Sequence, residues 1–403
     1  MERIPFVGLH AHSGVGSPFD GFGYPKDHMN YAHSNGAKAL ALTDHGNMNG
    51  LAYQVMHAKK MQAEGKDFKP IFGVEAYFIP SVAEWKEQIE VFRKDKKLAK
   101  QIDKEQSGTT IENEGASKGI TKHDINKRRH LVLLAQNQTG LNNIFKMVSQ
   151  SYNGDNFYRY PRIDLALLEE YGEGVIAASA CLGGVYAGCY WENRDEGPEA
   201  VLNCMLKVTE EMQAVLGDRW YGELQWNNIP EQHELNQYII QVHERTGLKL
   251  ISTCDSHYPS PEAWQSRELY KRLGWLGRKP EWASMELPLT VDEVGYELYP
   301  KNGNQMWDSY KFYSEACGVT YNDDIVYQSI IETATIAFDR IESFLPDTTV
   351  RLPDFVVPAG TDATSYLGQL AFEGLLSVLG SKGIKENSPQ FKDYNKRLNS
   401  ELD

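Results

Sequence analysis

No stretch of this chain approaches the run of about 18 apolar residues that a membrane-spanning helix needs. The opening MERIPFVGLHAH lacks the basic start, apolar stretch and small-residue cleavage site of a secretory signal. A membrane segment is therefore excluded and a cytoplasmic location expected. Cysteine is sparse: the five, at 181, 189, 204, 254 and 317, are odd in number, scattered and without a C-x-x-C pair. Neither a disulfide framework nor a zinc ribbon is expected from them. Positive charge is in deficit, with 41 Lys and Arg against 55 Asp and Glu and a formal net charge of -14. Contact with nucleic acid must then come from a local basic or metal-lined patch, because no global field attracts it. The rest is ordinary for a globular protein: 403 residues, 41% hydrophobic and 24% charged, enough for two or three cores. Collagen-like, low-complexity and wholly disordered chains are excluded.

Up to about residue 80, apolar runs alternate with amphipathic stretches. Pro5 to His12, Ala39 to His45 and Lys69 to Phe78 read as buried strands, Pro25 to Asn35 and Gly50 to Gly65 as helices. That alternation predicts βαβ units and a parallel sheet. Residues 82–129 interrupt it with a charge-dense insertion whose first half reads as a solvated helix and whose middle reads as a polar loop. Strands resume at His130 to Gln136, Gly174 to Ala180, Trp220 to Gln225 and Leu248 to Thr253, with helices near 138–152, 197–215 and 230–246. About seven β-α units are complete by residue 258, which suits an α/β barrel or a large doubly wound sheet. Beyond Pro259 helix-like stretches dominate, and a domain boundary is expected near 285. Residues 325–343 have helical spacing, LPDTTVRLPDFVVPAG reads as an extended linker, and Tyr366 to Leu379 reads as the last helix, before a polar tail without a hydrophobic face. No internal repeat is visible.

The residues that carry chemistry gather at strand ends. His10 and His12 close the first strand, and residues i and i+2 of a strand project from one face, so both imidazoles can bind one metal or two adjacent ones. Asp255 and His257 repeat that geometry after LKLISTC, Asp44 and His45 close ALALTDH, Glu75 sits near the end of KPIFGVEAYF, and Cys181 follows GVIAASA. Parallel barrels assemble active sites from the C-terminal ends of their strands. Each residue has a plainer alternative: Asp44 and Asp255 as helix caps or turn formers, Cys181 as a small buried hydrophobe. His130 opens its strand, so the strand-end rule does not reach it. His28, His33, His57, His123, His233 and His243 have no partner at ligand spacing and read as structural. Imidazoles, carboxylates and a thiolate together suit zinc, manganese or iron over magnesium or calcium. A cluster so rich would hold more than one ion, as in hydrolytic sites where metals activate water and clamp a phosphoryl oxygen.

Seven blocks, FVGLHAHSGVGSPFDG, AKALALTDHGNMNGL, KPIFGVEAYFIP, RRHLVLLAQNQTGLNNIFKMVS, PRIDLALLEEYGEGVIAASACLGG, YGELQWNNIPEQ and LISTCDSHYPSPEA, carry a family likeness. In order, they resemble the polymerase and histidinol phosphatase (PHP) domain at the N-terminus of bacterial DNA polymerase III alpha subunits, over about residues 4–265. The resemblance implies a distorted seven-fold β/α barrel and two or three divalent transition metals (Zn, Mn or Fe) held by His10, His12, Asp20, His45, Glu75, His130, Cys181, Asp255 and His257. It implies a first metal on His10, His12, Glu75 and Asp255, a second bridged by Glu75 and held by His130 and Cys181, and a third on Asp20, His45 and His257. Glu75, Asp255 and His12 are the expected catalytic residues. Some polymerases of this type have lost several of these ligands and keep the domain as scaffold; this sequence has lost none.

The implied activity is metal-dependent 3′-5′ exonuclease or related phosphodiester hydrolysis at a DNA primer 3′ end in replication, with other replisome subunits as partners and no membrane. The implied organisation is a phosphoesterase domain over 1–285, a helical thumb-like region over 286–350, and a linker with a palm-entry segment over 351–403. SIIETATIAFDRIESFL and RLPDFVVPAGTDATSYLGQLAFEGL carry the resemblance to the thumb and palm entry, while LYKRLGWLGRKPEW diverges. The closely spaced palm aspartates of a polymerase are absent after residue 285. Asp323 and Asp324 are adjacent in a loop-like NDDI and Asp354 falls in the linker, so both read as surface acids. The remaining polymerase core is expected on another polypeptide or to be missing. Two other readings compete: a free-standing small-molecule phosphatase of the histidinol phosphatase kind, and a non-catalytic polymerase scaffold.

Overall fold

Apolar runs of Val, Leu, Ile and Ala become strands in the computed structural model, which describes residues 3–105, 126–277, 279–350 and 355–402. The strands are β1 (Ala39–Leu42), β2 (Lys69–Phe78), β3 (Arg129–Ala135), the two-residue ribbon strands β4 (Phe157–Tyr158) and β5 (Tyr160–Pro161), then β6 (Val175–Ala178), β7 (Trp220–Gln225) and β8 (Leu250–Thr253). Six form one sheet in the order β1-β2-β3-β6-β7-β8. β1 and β2 pair in parallel, as do β6 with β7 and β7 with β8. The expectation of a parallel sheet fails at β3, which runs antiparallel to both β2 and β6. The chain enters β3 at the end where it leaves β2, so no crossover returns it to the far end, as a parallel pair would require.

Pro5 to His12 is not a regular strand. It touches the sheet's two edges through isolated bridges, Gly8 to Leu40 and Ala11 to Ser256. The sheet is therefore a curled, six-stranded half-barrel whose seam is spanned by this irregular segment, an arrangement consistent with the barrel expected, though no seventh regular strand is present among the described residues. Its inner face carries alternate residues, Ala39 and Ala41, Val132 and Leu134, Ile176 and Ala178, in one apolar cluster with Val7, Leu9, Ile71, Tyr221 and Ile251. Its outer face, including Val74, Ala76, Leu131, Leu133 and Ala177, packs beneath the flanking helices in a second, larger cluster. Both faces are buried, which is why the strands read as apolar runs without a polar alternation.

The flanking helices fall where the amphipathic stretches predicted them: Pro25–Ser34, Leu51–Ala63, Gln138–Ser151, Pro198–Leu216 and Pro230–Thr246. The insertion opens with the helix Val82–Glu105, which is not wholly solvated, because Val82, Trp85 and Ile89 bury against Ile79 in a small core of their own. Its expected polar middle, and His123 within it, lie outside the described residues. The cysteines form a single disulfide and no framework: Cys189 and Cys204 are bonded between the helices Val185–Asn193 and Pro198–Leu216, and the other three are free.

The expected boundary at 285 does not divide compact units. The first unit runs from Met1 to Pro346 and the second from Asp347 to Asp403. Residues 286–346 belong with the sheet because the helix Asp323–Thr335 and the π-helical turn Ile336–Arg340 deliver Ile336, Ala337 and Ile341 into the inner apolar cluster. Asp323 and Asp324 open that helix, capped by Asn322, and do not lie in a loop. Asp354 lies outside the described residues. In the second unit the supposed faceless tail forms the helix Pro389–Leu402, whose Phe391 is buried and meets Phe372 of the helix Ala363–Ser381 edge-on.

Candidate metal centre

Following each inner-face row toward one end of the sheet turns it from apolar to polar. Ala41 is followed two and four residues on by Thr43 and His45, Ile71 by Gly73 and Glu75, Tyr221 by Glu223, and Ile251 by Thr253 and Asp255. The strand period of 2 keeps each row on the inner face. In β3 the row runs backwards, from Val132 to His130, because that strand is antiparallel. His130 pairs with Tyr77 near the end of β2, so opening an antiparallel strand brings it to the same mouth that closing a parallel one reaches. Val7 and Leu9 face the inner cluster while His10 and His12 face the mouth, a change of phase that the irregular segment permits and a regular strand forbids. Three residues with left-handed backbone complete the rim: Phe19 precedes Asp20, Ala180 precedes Cys181, and Asp255 itself has φ 46°. Such conformations are costly for non-glycine residues and concentrate at functional sites.

All nine residues singled out in the sequence come together there. Glu75 is the hub: Oε1 lies 3.4 Å from His10 Nε2 and 2.8 Å from His130 Nδ1, and Oε2 lies 3.7 Å from His12 Nε2 and against His45 Nδ1. Asp255 Oδ1 is 3.2 Å from His10 Nε2 and 3.0 Å from His12 Nε2. Asp20 Oδ2 is 3.1 Å from His45 Nε2 and 3.6 Å from His257 Nε2. Cys181 Sγ lies 3.6 Å from His130 Nδ1 and 3.9 Å from Glu75 Oε1. His45 shows one nitrogen to Glu75 and the other to Asp20, so its ligand atoms also group with Glu75 and His130, a choice the expected grouping did not include.

Burial alone would drive the His10 imidazole down, but Asp255 and Glu223 hold it well above its usual value. Burial, with His45 and His257 adjacent, pushes His12 well below it. His45 is held up to about 10 by Glu75 and Asp20 against its burial. Burial would raise the carboxyls of Glu75, Asp255 and Asp20, yet the facing histidines hold all three below the usual range. The Cys181 thiol is pushed well up by burial and by Glu75 and Asp255. The mouth thus concentrates negative charge, which protons on some of its histidines and the Arg267 guanidinium beside Asp20 offset.

His10 Nε2, His12 Nε2, His45 Nδ1, Glu75 Oε2 and Asp255 Oδ1 are buried without a hydrogen-bond partner. Burying so many ligand-type atoms without a hydrogen bond is expensive. All of them are metal-ligand atoms facing one another, and mixed nitrogen, oxygen and sulfur donors suit zinc, manganese or iron. The residues present fit divalent transition ions.

Two supporting residues escaped the sequence reading, and a third, Asp44, was noted there only as a strand-end acid, cap or turn former. Glu223, fully buried in β7, takes His10 Nδ1 at 2.7 Å and accepts from Thr253 and Gln225. Its one signal was a glutamate inside the apolar strand WYGELQ, two residues from Tyr221. Arg267 reaches from the helix Trp264–Trp275 to donate to Asp20 Oδ1 at 2.7 Å and to Asp20 O at 2.9 Å; nothing local marks it. Asp44 is neither ligand nor cap: it accepts from the Ser13 amide and from the Ser13 and Ser17 hydroxyls, tying down the loop between His12 and Asp20. Its burial pushes its pKa up to about 6. His28 is buried with Nε2 on the Phe22 carbonyl, His233 bonds Tyr321 and Asn227, and His243 bonds the Leu248 carbonyl.

The PHP domain family matches residues 8–226. The chain is 30% identical over 398 residues to DNA polymerase III subunit alpha of Aquifex aeolicus (strain VF5), an alignment covering 99% of this chain and 29% of that protein. It is 28% identical over 377 residues to DNA polymerase III subunit alpha of Borreliella burgdorferi, covering 93% of this chain and 27% of that one. The chain therefore spans less than a third of the length of these relatives. Among solved structures, an amidohydrolase from Chromobacterium violaceum aligns with 66% of this chain and 96% of its own at 16% identity and a TM-score of 0.31, too low to bear on function. No described helix is long and apolar enough to cross a membrane.

Proposed function

The chain belongs to the PHP domain family, and from that premise we propose that its mouth is a multinuclear metal site hydrolysing phosphodiesters at the 3′ end of DNA, in the setting of a replicative polymerase. The observation that carries the reading is the set of buried ligand-type atoms on His10, His12, His45, Glu75 and Asp255 that face one another without a hydrogen bond. His10, His12, Glu75 and Asp255 would hold one ion, Glu75, His130 and Cys181 a second, and Asp20, His45 and His257 a third. When bound, such ions supply a Lewis acid for the phosphoryl oxygen and an activated water.

The chain's own groups prepare that chemistry. Glu223 on His10 Nδ1 leaves Nε2 free for the mouth, the usual way an outer carboxylate orients a ligand histidine. The Asp255 carbonyl oxygen accepts from His257 Nδ1 at 2.7 Å and turns its Nε2 toward Asp20. Arg267 fixes the Asp20 carboxylate, whose side chain is otherwise half exposed. The polymerase context and the thumb-like reading of 286–350 rest on likeness to the longer relatives.

The test combines elemental analysis with degradation of an end-labelled primer. Two or three transition ions per chain are expected, with 3′-end degradation falling about 100-fold or more in Glu75→Ala, His12→Ala or Asp255→Ala. Less than one ion per chain, with none regained on adding manganese or zinc, would sink the proposal. Full activity in the triple variant would assign the hydrolysis to a contaminant. Release of phosphate from small monoesters without primer degradation would instead favour the small-molecule phosphatase reading.

A further inference from the structure

Beside the metal ligands, an aromatic wall runs outward from the mouth. The Tyr77 ring lies 5.5 Å from that of His130 and 6.5 Å, nearly parallel, from that of His45. Tyr160 on the β4-β5 ribbon meets Tyr77 edge-on at 5.6 Å. The Arg128 guanidinium caps this wall, 3.5 Å from the centre of the Tyr160 ring and 5.1 Å from that of Tyr77.

Arg128 stands in a basic run, Lys127-Arg128-Arg129, but its neighbours are committed: both pair with Glu192. No described carboxylate lies within ion-pair distance of Arg128. Among the described residues its one side-chain hydrogen bond is to the Asn126 carbonyl oxygen at 3.2 Å, and its buried Nε has no hydrogen-bond partner. In a chain of net charge -14, a guanidinium held over a tyrosine ring, next to a carboxylate-rich mouth and with no carboxylate partner among the described residues, needs a reason. Stacking restricts the side chain and presents its planar fork, the geometry that binds phosphate in two-pronged fashion.

We infer that Arg128, on its Tyr160 and Tyr77 platform, is a substrate-binding residue that takes the phosphate neighbouring the one under attack, so that the site favours a single-stranded polynucleotide over an isolated phosphoester. Two ring contacts separate Arg128 from His130, which keeps it off the ligand cluster and leaves the attacked phosphate to the mouth. The inference deepens the proposed phosphodiesterase and rests on that reading for which end of the strand enters.

Binding tests it independently of hydrolysis. Anisotropy of a fluorescent oligothymidine is titrated with the whole chain in manganese across a salt series, for the parent, Arg128→Gln and Arg128→Lys. Arg128→Gln is expected to weaken binding about tenfold, and to make the slope of log K against log salt shallower by about 0.7, one single-strand phosphate contact. Arg128→Lys should keep the parent slope while losing part of the affinity, a pattern that lost packing does not produce. Arg128→Gln should lower oligonucleotide degradation more than cleavage of bis(p-nitrophenyl) phosphate, which has no second phosphate, and an equal loss on both would overturn the inference. Parent affinity and slope in a folded Arg128→Gln chain, or no oligonucleotide binding by the parent, would overturn the inference. A parent that binds with the Arg128-dependent slope but cleaves nothing would leave it standing and remove the phosphodiesterase reading.

Discussion

The two ends of the curled sheet are built from the same strands and solve opposite problems. At the floor, the helix Asp323–Thr335 and the turn after it close the inner face with Ile336, Ala337 and Ile341, and the polar groups there find partners. The Val7 amide donates to Thr333 Oγ1, Lys69 Nζ to the carbonyl oxygens of Ala337 and Ile341, and Gln136 to that of Arg340. None of the buried, unpartnered side-chain atoms among the described residues falls within 323–342. At the mouth, the same rows end in His10, His12, His45, Glu75 and Asp255, each with an orphaned atom. A floor that satisfies itself holds the fold, and a mouth that does not is arranged for something added. Stability is thereby concentrated at one end and unmet binding capacity at the other.

The largest effect expected from this division is at the mouth. Manganese or zinc at 100 times its dissociation constant should stabilise the chain by about 2.7 kcal/mol per site. Thermal unfolding with and without chelator measures it, and Glu75→Ala should abolish most of the increment. An equal shift in parent and variant would mean the ions bind elsewhere.

At the floor, Ile336→Ala should cost about 2–5 kcal/mol, because the side chain is fully buried and leaves a cavity. Metal content per folded chain should stay the same. Urea titration paired with elemental analysis checks both, and loss of metal from the folded variant would show that the two ends are not separable.

His28, in the helix that follows the mouth loop, should contribute a smaller, pH-gated effect. Burial lowers its pKa to about 4. Between that value and the unfolded 6.5 the unfolded chain binds the extra proton, so stability rises with pH across this window and is lost on acidification, by at most about 3 kcal/mol. His28→Gln should flatten the stability profile between pH 4 and 6.5 relative to the parent. An unchanged slope would place the acid sensitivity elsewhere.

The inner and outer rows were legible because apolar runs with a period of 2 need no tertiary information: β2 and β7 begin and end where the runs do. His10, Glu75 and Asp255 were legible for the related reason that a polar residue ending an apolar row is conspicuous. His130 stood out only by family likeness, and Cys181, though noted at a strand end, needed that likeness to outweigh its reading as a small buried hydrophobe. The first obeys the direction of β3, and the second depends on the left-handed backbone at Ala180. The polar tail after residue 380 looked faceless because one buried phenylalanine, Phe391, is too little to show as a stripe.

Composition, strand periodicity and ordered blocks were enough, without coordinates, to indicate an α/β chain and to pick out the nine residues that gather at the mouth. Local pattern decides which residues are apolar and which can bind a metal. Strand direction, the phase change between Leu9 and His10, the reach of Arg267 to Asp20 and the seat of Arg128 on Tyr160 were decided only by the tertiary structure. Each depends on residues distant in sequence or on a backbone conformation that no local propensity encodes. The same holds for Ile336, Ala337 and Ile341, which join the sheet's core more than 300 residues after Val7 because burying them there removes apolar surface from water on both sides at once.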